Sequence, residues 1–164
     1  MTRGSAGKQV PCPAGSTARM VEWPAAVKRD LKHLLFLCVA NSARSQMAEA
    51  IARHLGPQRL RVYSAGSQPA RVNPLAVEAM AEIGIDISSQ VAKGLDHIPL
   101  DRIDTVVTLC AEEICPTFPR PVQRIHWPLP DPARTGGSRE VRLRRFRRAR
   151  TDLRRHIGQL LEAH

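Results

Sequence analysis

The stretch from His33 to Gly56 restricts the fold more than any other part of the chain. His33-Leu34-Leu35-Phe36-Leu37 is a short apolar run of strand length. A loop of small residues follows, Cys38-Val39-Ala40-Asn41-Ser42-Ala43-Arg44-Ser45, and then Met47, Ala50, Ile51 and Leu55 fall at three- and four-residue spacing before Gly56-Pro57. The pattern reads as strand, loop and helix, with a helix over Ser45 to His54 whose N-terminus adjoins the loop.

The unit recurs. Leu60, Val62 and Ser64 alternate with Arg59, Arg61 and Tyr63 as in a second strand closed by Ala65-Gly66. Asn73 then caps a helix with Pro74 in its first turn, Leu75, Val77, Ala79, Met80 and Ile83 on its apolar side and Gly84 at its end. Asp104 to Leu109 and Arg124 to Trp127 read as two further strands. Ser138 to about Ala163 reads as a long helix whose apolar positions are Val141, Phe146, Ala149, Leu153, Ile157, Leu160 and Leu161. Strands alternating with helices imply an α/β fold: a doubly wound, flavodoxin-like, four-stranded parallel sheet with helices on both faces, in a single domain. Ligands of such sheets bind outside the carboxyl ends of the strands, which directs attention to the residues just after Leu37.

A chain of 164 residues fits one ordinary domain. Residues 31–164 are assigned to it. Residues 1–30 mix Gly, Pro and scattered charges without period and are expected to form a disordered or loosely docked tail. The longest uncharged stretch, Leu34 to Ala43, is about half of what a membrane-spanning helix needs. The tail lacks the apolar core of a secretory signal, so a cytoplasmic location is expected. In that reducing setting the four cysteines are expected to be free, catalytic or metal-binding rather than structural disulfides.

The formal charge is +10, and Arg139, Arg142, Arg144, Arg145, Arg147, Arg148, Arg150, Arg154 and Arg155 supply much of it from one helix. Such a block can be a nucleic-acid or acidic-partner footprint. An arginine-rich solvated helix face is the commoner explanation, and aromatics at 4% are too few for a base-stacking platform. Nucleic acid is therefore not the expected partner.

Five residues separate Cys38 from Arg44. In a tight strand-to-helix loop successive N–H groups converge into a nest, and the helix adds the positive end of its dipole, so Val39, Ala40, Asn41, Ser42, Ala43, Arg44 and Ser45 can hold a tetrahedral oxyanion. Cys38 at its base would have its thiolate favoured. Arg44 would clamp the anion with its planar fork. Asn41 and Ser45 can bond within the loop, and Ser45 can orient the cysteine. The loop lacks the Gly-Lys-Ser/Thr of a nucleoside triphosphatase.

Cys38-Val-Ala-Asn-Ser-Ala-Arg-Ser-Gln-Met-Ala-Glu-Ala, Tyr63-Ser-Ala-Gly, Asn73-Pro-Leu-Ala-Val-Glu-Ala-Met and Asp131-Pro132 together resemble the low-molecular-weight protein tyrosine phosphatase superfamily. Val106-Val-Thr-Leu-Cys110, Cys115-Pro116 and His126-Trp127 before Asp131-Pro132-Ala133 resemble its thioredoxin-coupled arsenate reductase branch. The likeness runs from about His33 to the end. It implies that Cys38 attacks arsenate, that Asp131 protonates the leaving oxygen, and that Cys110 then attacks the Cys38 sulfur and expels arsenite. Cys115 would resolve the resulting disulfide, and thioredoxin would reduce the Cys110–Cys115 pair. The chain departs from this pattern in having four residues between Cys110 and Cys115 and Pro130 directly before Asp131.

A phosphatase using Cys38, Arg44 and Asp131 through a cysteinyl-phosphate is the alternative, and it needs no second thiol. Against it, Ala133 stands where tyrosine phosphatases of the family usually carry an aromatic pocket wall, and Tyr63 is the only tyrosine. A zinc site from Cys110, Cys115 and His126 lacks a second matching pair. No metal and no cofactor are expected.

Overall fold

A computed structural model of the chain describes residues 30–111 and 116–164. The expected tail, but for Asp30, and Cys115 lie outside the described residues. The elements in order are β1 (His33–Cys38), α1 (Arg44–Leu55), β2 (Arg61–Gly66), α2 (Pro74–Ala81), a 3-10 turn (Leu95–His97), β3 (Thr105–Thr108), β4 (Gln123–His126) and α3 (Arg139–Glu162). All three strand pairs are parallel, in the order β2-β1-β3-β4. This is the four-stranded parallel α/β sheet expected from the sequence, although its three described α-helices pack on one face and not on both.

β1 is central, flanked by β2 and β3, and Leu34, Leu35 and Phe36 are completely buried. Strand alternation divides its side chains between two apolar clusters. Leu34, Phe36 and Cys38 join the larger one with Met47 and Ile51 of α1, Ala76 and Met80 of α2, and Phe146, Leu153 and Ile157 of α3. Each fully buried large side chain contributes about 1.5–3 kcal/mol. Leu35 and Leu37 face the other way, onto Ala65, Val106, Ile98 and Ile103. All three α-helices thus supply the first face. The cover on the second is the 3-10 turn and the segment after it, where Pro99 keeps the chain from continuing as a helix.

The long helix begins where Ser138 accepts from the Val141 N–H. Its buried positions are Leu143, Phe146, Ala149, Leu153, Ile157 and Leu160, so Leu143 takes the core place expected of Val141, which is half-buried. Part of the arginine block ties α3 to α2: Arg139 pairs with Glu78, while Arg147 and Arg150 bond Glu82 at 2.7 and 2.9 Å. Exposed pairs of this kind contribute about 0–1 kcal/mol each. No described helix is long and apolar enough to cross a membrane.

Candidate active site

β1 is followed in the sheet by β2 on one side and β3 on the other, which makes the β1/β3 boundary the topological switch point, the place at which sheets of this kind generally bind ligands. Cys38 is the last residue of β1, and Cys110 lies two residues beyond β3. Both are buried free thiols. The loop between Cys38 and α1 starts at this edge of the sheet.

The loop's shape is set from its outer side. The Gln68 N–H donates to Val39 O at 2.9 Å, Ala70 N–H to Ala40 O at 2.9 Å and Asn73 N–H to Ser42 O at 2.8 Å. Gln46 Nε2 donates to Asn41 O at 3.1 Å. In a trans peptide the C=O and the next N–H point oppositely, so these four bonds turn the N–H groups of Ala40, Asn41, Ser42 and Ala43 inward. Asn41 carries the turn with φ 45, a left-handed conformation that Asn tolerates better than most residues. Gly66 lets β2 approach the loop: a Cβ there would lie 2.5 Å from Val39 O and 2.8 Å from Asn41 N. Ala43 at the N-cap offers no side-chain acceptor, so no side-chain cap occupies the first-turn donors of α1.

The Cys38 thiol is lowered to about 6. The largest cause is the Cys110 thiol, which donates to the Cys38 sulfur; burial opposes it, and the Ser45 hydroxyl and the Ser45 and Asn41 N–H groups assist. Ser45 Oγ lies 2.8 Å from Cys38 Sγ. The counterpart is a Cys110 thiol pushed well up, first by its bond to the Cys38 sulfur and then by burial. At rest, therefore, Cys38 is the thiolate and Cys110 holds its proton.

Arg44 projects from the first turn of α1 across the strand ends. Its Nη1 donates to Leu129 O at 2.8 Å and Leu109 O at 3.5 Å, and its Nη2 lies 3.8 Å from Asp131 Oδ1. The guanidinium is thus beside the residue preceding Cys110 and beside the Asp131 carboxylate, rather than in bulk water. Bonds from Trp127 N to Thr108 O and from Leu129 N to Leu109 O carry the chain after β4 to that position. Asp131 also accepts the Ala133 N–H at 3.0 Å, the turn-forming role an Asp before Pro often has. His126 turns elsewhere, to Thr108 Oγ1 at 2.8 Å.

Behind the loop lies a polar network whose depth local spacing does not reveal. The Asn41 amide reaches Ser45 Oγ at 2.8 Å and Ser64 Oγ at 3.0 Å. Ser64 donates to Glu49, a carboxylate of α1 only 2% exposed. Glu49 also meets Arg53 and, at 3.3 Å, Lys93 Nζ. The structure therefore brings together Cys38, the loop, Arg44, Ser45, Cys110 and Asp131. Glu49, Ser64 and Gly66 join them as supports that residue type alone did not single out.

Comparison with known proteins gives the same outline. Residues 33–164 match the family "Low molecular weight phosphotyrosine protein phosphatase". The chain is similar to an arsenate reductase of Halalkalibacterium halodurans, 44% identical over 133 residues, which is 80% of this chain and 96% of the relative. An arsenate reductase of Bacillus subtilis is 43% identical over the same shares. Among solved structures, an arsenate reductase in its phosphate-binding state superposes with a TM-score of 0.65 at 36% identity, covering 80% of this chain and 98% of the other. A thioredoxin-dependent arsenate reductase of Corynebacterium glutamicum gives 0.65 at 28% identity, covering 84% of this chain and 63% of that one.

Proposed function

This chain belongs to the low molecular weight phosphotyrosine protein phosphatase family, and we propose that within it the chain is an arsenate reductase running an internal thiol relay. The observation that carries this reading is the second thiol: Cys110 is a buried free thiol two residues beyond β3, the strand paired with β1, and is the chief influence on the ionisation of Cys38 at the end of β1. A phosphatase working through a cysteinyl-phosphate has no use for a thiol there, whereas a reductase needs a sulfur placed to attack the first.

Arsenate enters the cup of inward N–H groups, and the Cys38 thiolate forms an S–As bond while one arsenate oxygen departs. Asp131, held near Arg44, supplies the proton that lets this oxygen leave as water. Arg44 exchanges its carbonyl partners for arsenate oxygens, a favourable exchange because bonds to a charged acceptor are roughly twice as strong as neutral ones. Cys110 then attacks the Cys38 sulfur, its proton passing to an oxygen of the departing arsenite. The S–S bond forms, the S–As bond breaks, and its electron pair leaves with arsenic as arsenite. Two thiols are oxidised and As(V) is reduced to As(III), so the electrons balance. Cys115 attacks next to form a Cys110–Cys115 disulfide and free Cys38, and an external dithiol protein of the thioredoxin kind restores both thiols.

The test is arsenate-dependent consumption of reducing equivalents with thioredoxin and its reductase, on wild type and Cys110→Ser. Wild type turns over, and the variant stops after one covalent adduct. Rapid hydrolysis of aryl phosphates by both, with no arsenate-dependent consumption by wild type, overturns the reductase reading in favour of a phosphatase.

A further inference from the structure

Hydrogen-bond polarity along the network behind the loop can be read off atom by atom. Asn41 Oδ1 accepts from the Lys93 main-chain N–H at 2.8 Å and from Gln46 Nε2 at 2.9 Å. Both are groups that can only donate, which fixes Nδ2 as the atom facing Ser45 Oγ and Ser64 Oγ. Each serine oxygen accepts from Asn41, so each single hydroxyl proton must go elsewhere. That of Ser64 goes to Glu49 Oε2, and that of Ser45 to the Cys38 sulfur. The chain thus has a carboxylate at one end and the nucleophile at the other.

A carboxylate 2% exposed behind a thiolate opposes the thiolate's charge and needs compensation in place. Lys93 Nζ lies 3.3 Å from Glu49 Oε2 and 3.4 Å from Ser64 Oγ, with its side chain 27% exposed. Arg53, the other cation on Glu49, is 54% exposed and hence more strongly screened. Lys93 therefore acts on both parts of the network, orienting Asn41 with its main chain and facing Glu49 with its ammonium.

We infer that Lys93 is a positioning residue for the nucleophile: its ammonium cancels the buried Glu49 charge at one end of a hydrogen-bond chain that diverges from the Asn41 amide and whose other end is the Ser45 hydroxyl on Cys38. This rests on Cys38 being the nucleophile of the proposed reductase, but not on arsenate turnover. The other charged or titratable groups facing Cys38 are Cys110 beyond β3, Arg44 of α1 and, behind Arg44, Asp131. None of them touches Glu49.

The test is iodoacetamide alkylation of Cys38 against pH in the full chain, resolved peptide by peptide by mass spectrometry so that the other cysteines do not intrude. Lys93→Met raises the Cys38 midpoint by about one unit, and Lys93→Arg, which keeps the charge, leaves it near wild type. Glu49→Gln with Lys93 intact lowers the midpoint, which keeps the idea testable should Lys93→Met fail to fold. Glu49→Gln combined with Lys93→Met brings the midpoint back toward wild type. A midpoint raised equally in the Lys93→Met single and double variants marks a merely structural lysine and overturns the inference, as does an unchanged midpoint in Lys93→Met or in Glu49→Gln. Because no arsenate is present, absence of reductase turnover leaves these midpoints readable, and unchanged midpoints beside intact turnover sink only the role of Lys93.

Discussion

Replacing Cys110 by Ala and by Ser separates its two duties. The Cys110 thiol is the largest single cause of the low Cys38 value of about 6. A hydrogen bond to a charged group contributes about 1.5–3 kcal/mol, and one pKa unit corresponds to about 1.4 kcal/mol. Cys110→Ala should therefore raise the Cys38 midpoint by about one to two units, while Cys110→Ser keeps an O–H donor and leaves it near wild type. Peptide-resolved alkylation across pH 5 to 9 measures this, and the midpoint is the proper readout. At pH 6.5 a rise of one unit cuts the thiolate fraction from about three quarters to about one quarter, but the more basic thiolate is intrinsically a better nucleophile, with a Brønsted slope of about 0.4–0.5, and the two effects nearly cancel in the rate. Both variants should lack arsenate turnover. An Ala variant whose midpoint stays near 6 would refute the reasoning, because it would leave the loop amides and Ser45 holding the thiolate without help from Cys110.

Two further outcomes follow from the geometry of the loop. Gly66→Ala drives a Cβ against the backbone of Val39, Asn41 and Cys38, so it should destabilise the fold by about 1–3 kcal/mol in thermal melts and raise KM for arsenate. Neither effect should accompany Gly158→Ala, where a Cβ meets open space. Arg44→Lys keeps the charge but loses the planar fork whose Nη1 bonds Leu109 O and Leu129 O while Nη2 faces Asp131, and kcat/KM for arsenate should fall about 10- to 100-fold in steady-state assays with fold stability little changed.

What the sequence reveals about this site depends on how far apart its parts lie along the chain. Cys38, Asn41, Arg44 and Ser45 sit within eight residues at one strand-to-helix junction, so their spacing encodes the loop, and the capped helices around them are written locally as Asn73 and Ser138. Cys110 is visible as a residue type at a strand end, but its contact with Cys38 exists because β3 lies next to β1. Glu49 reads as an ordinary polar residue of an amphipathic helix, four positions before Arg53. Only the packing of β2 over α1, which brings Ser64 and then Lys93 to it, reveals a buried carboxylate. Leu143 displaces Val141 from the core for a related reason. The apolar spacing of a helix gives a stripe, and which edge of that stripe is covered is decided by its neighbours α1 and α2. On the second face, Pro99 limits the cover to a short turn, a feature that strand-helix alternation alone does not foresee.

The two thiols place opposing demands on one another, and the causes of their shifts resolve them into an order of events. At rest Cys110 serves Cys38 as a proton donor, which makes Cys38 reactive and Cys110 inert, the bond to the Cys38 sulfur being the chief reason the Cys110 thiol is pushed up. Under the reductase reading this constraint ends with the first step. Once the Cys38 sulfur is bonded to arsenic it carries no free negative charge, is a poor acceptor, and no longer repels a second thiolate beside it. The influences that favour Cys110 ionisation, the Arg44 guanidinium and the Val39 N–H, are still in place, so the balance at Cys110 tips toward the thiolate only after the adduct has formed. A second nucleophile that ionised earlier would compete for the same amides and raise the thiol it is meant to attack. Under the reductase reading, the proton held by Cys110 thus sets the order of the two steps: the first sulfur is spent before the second acts.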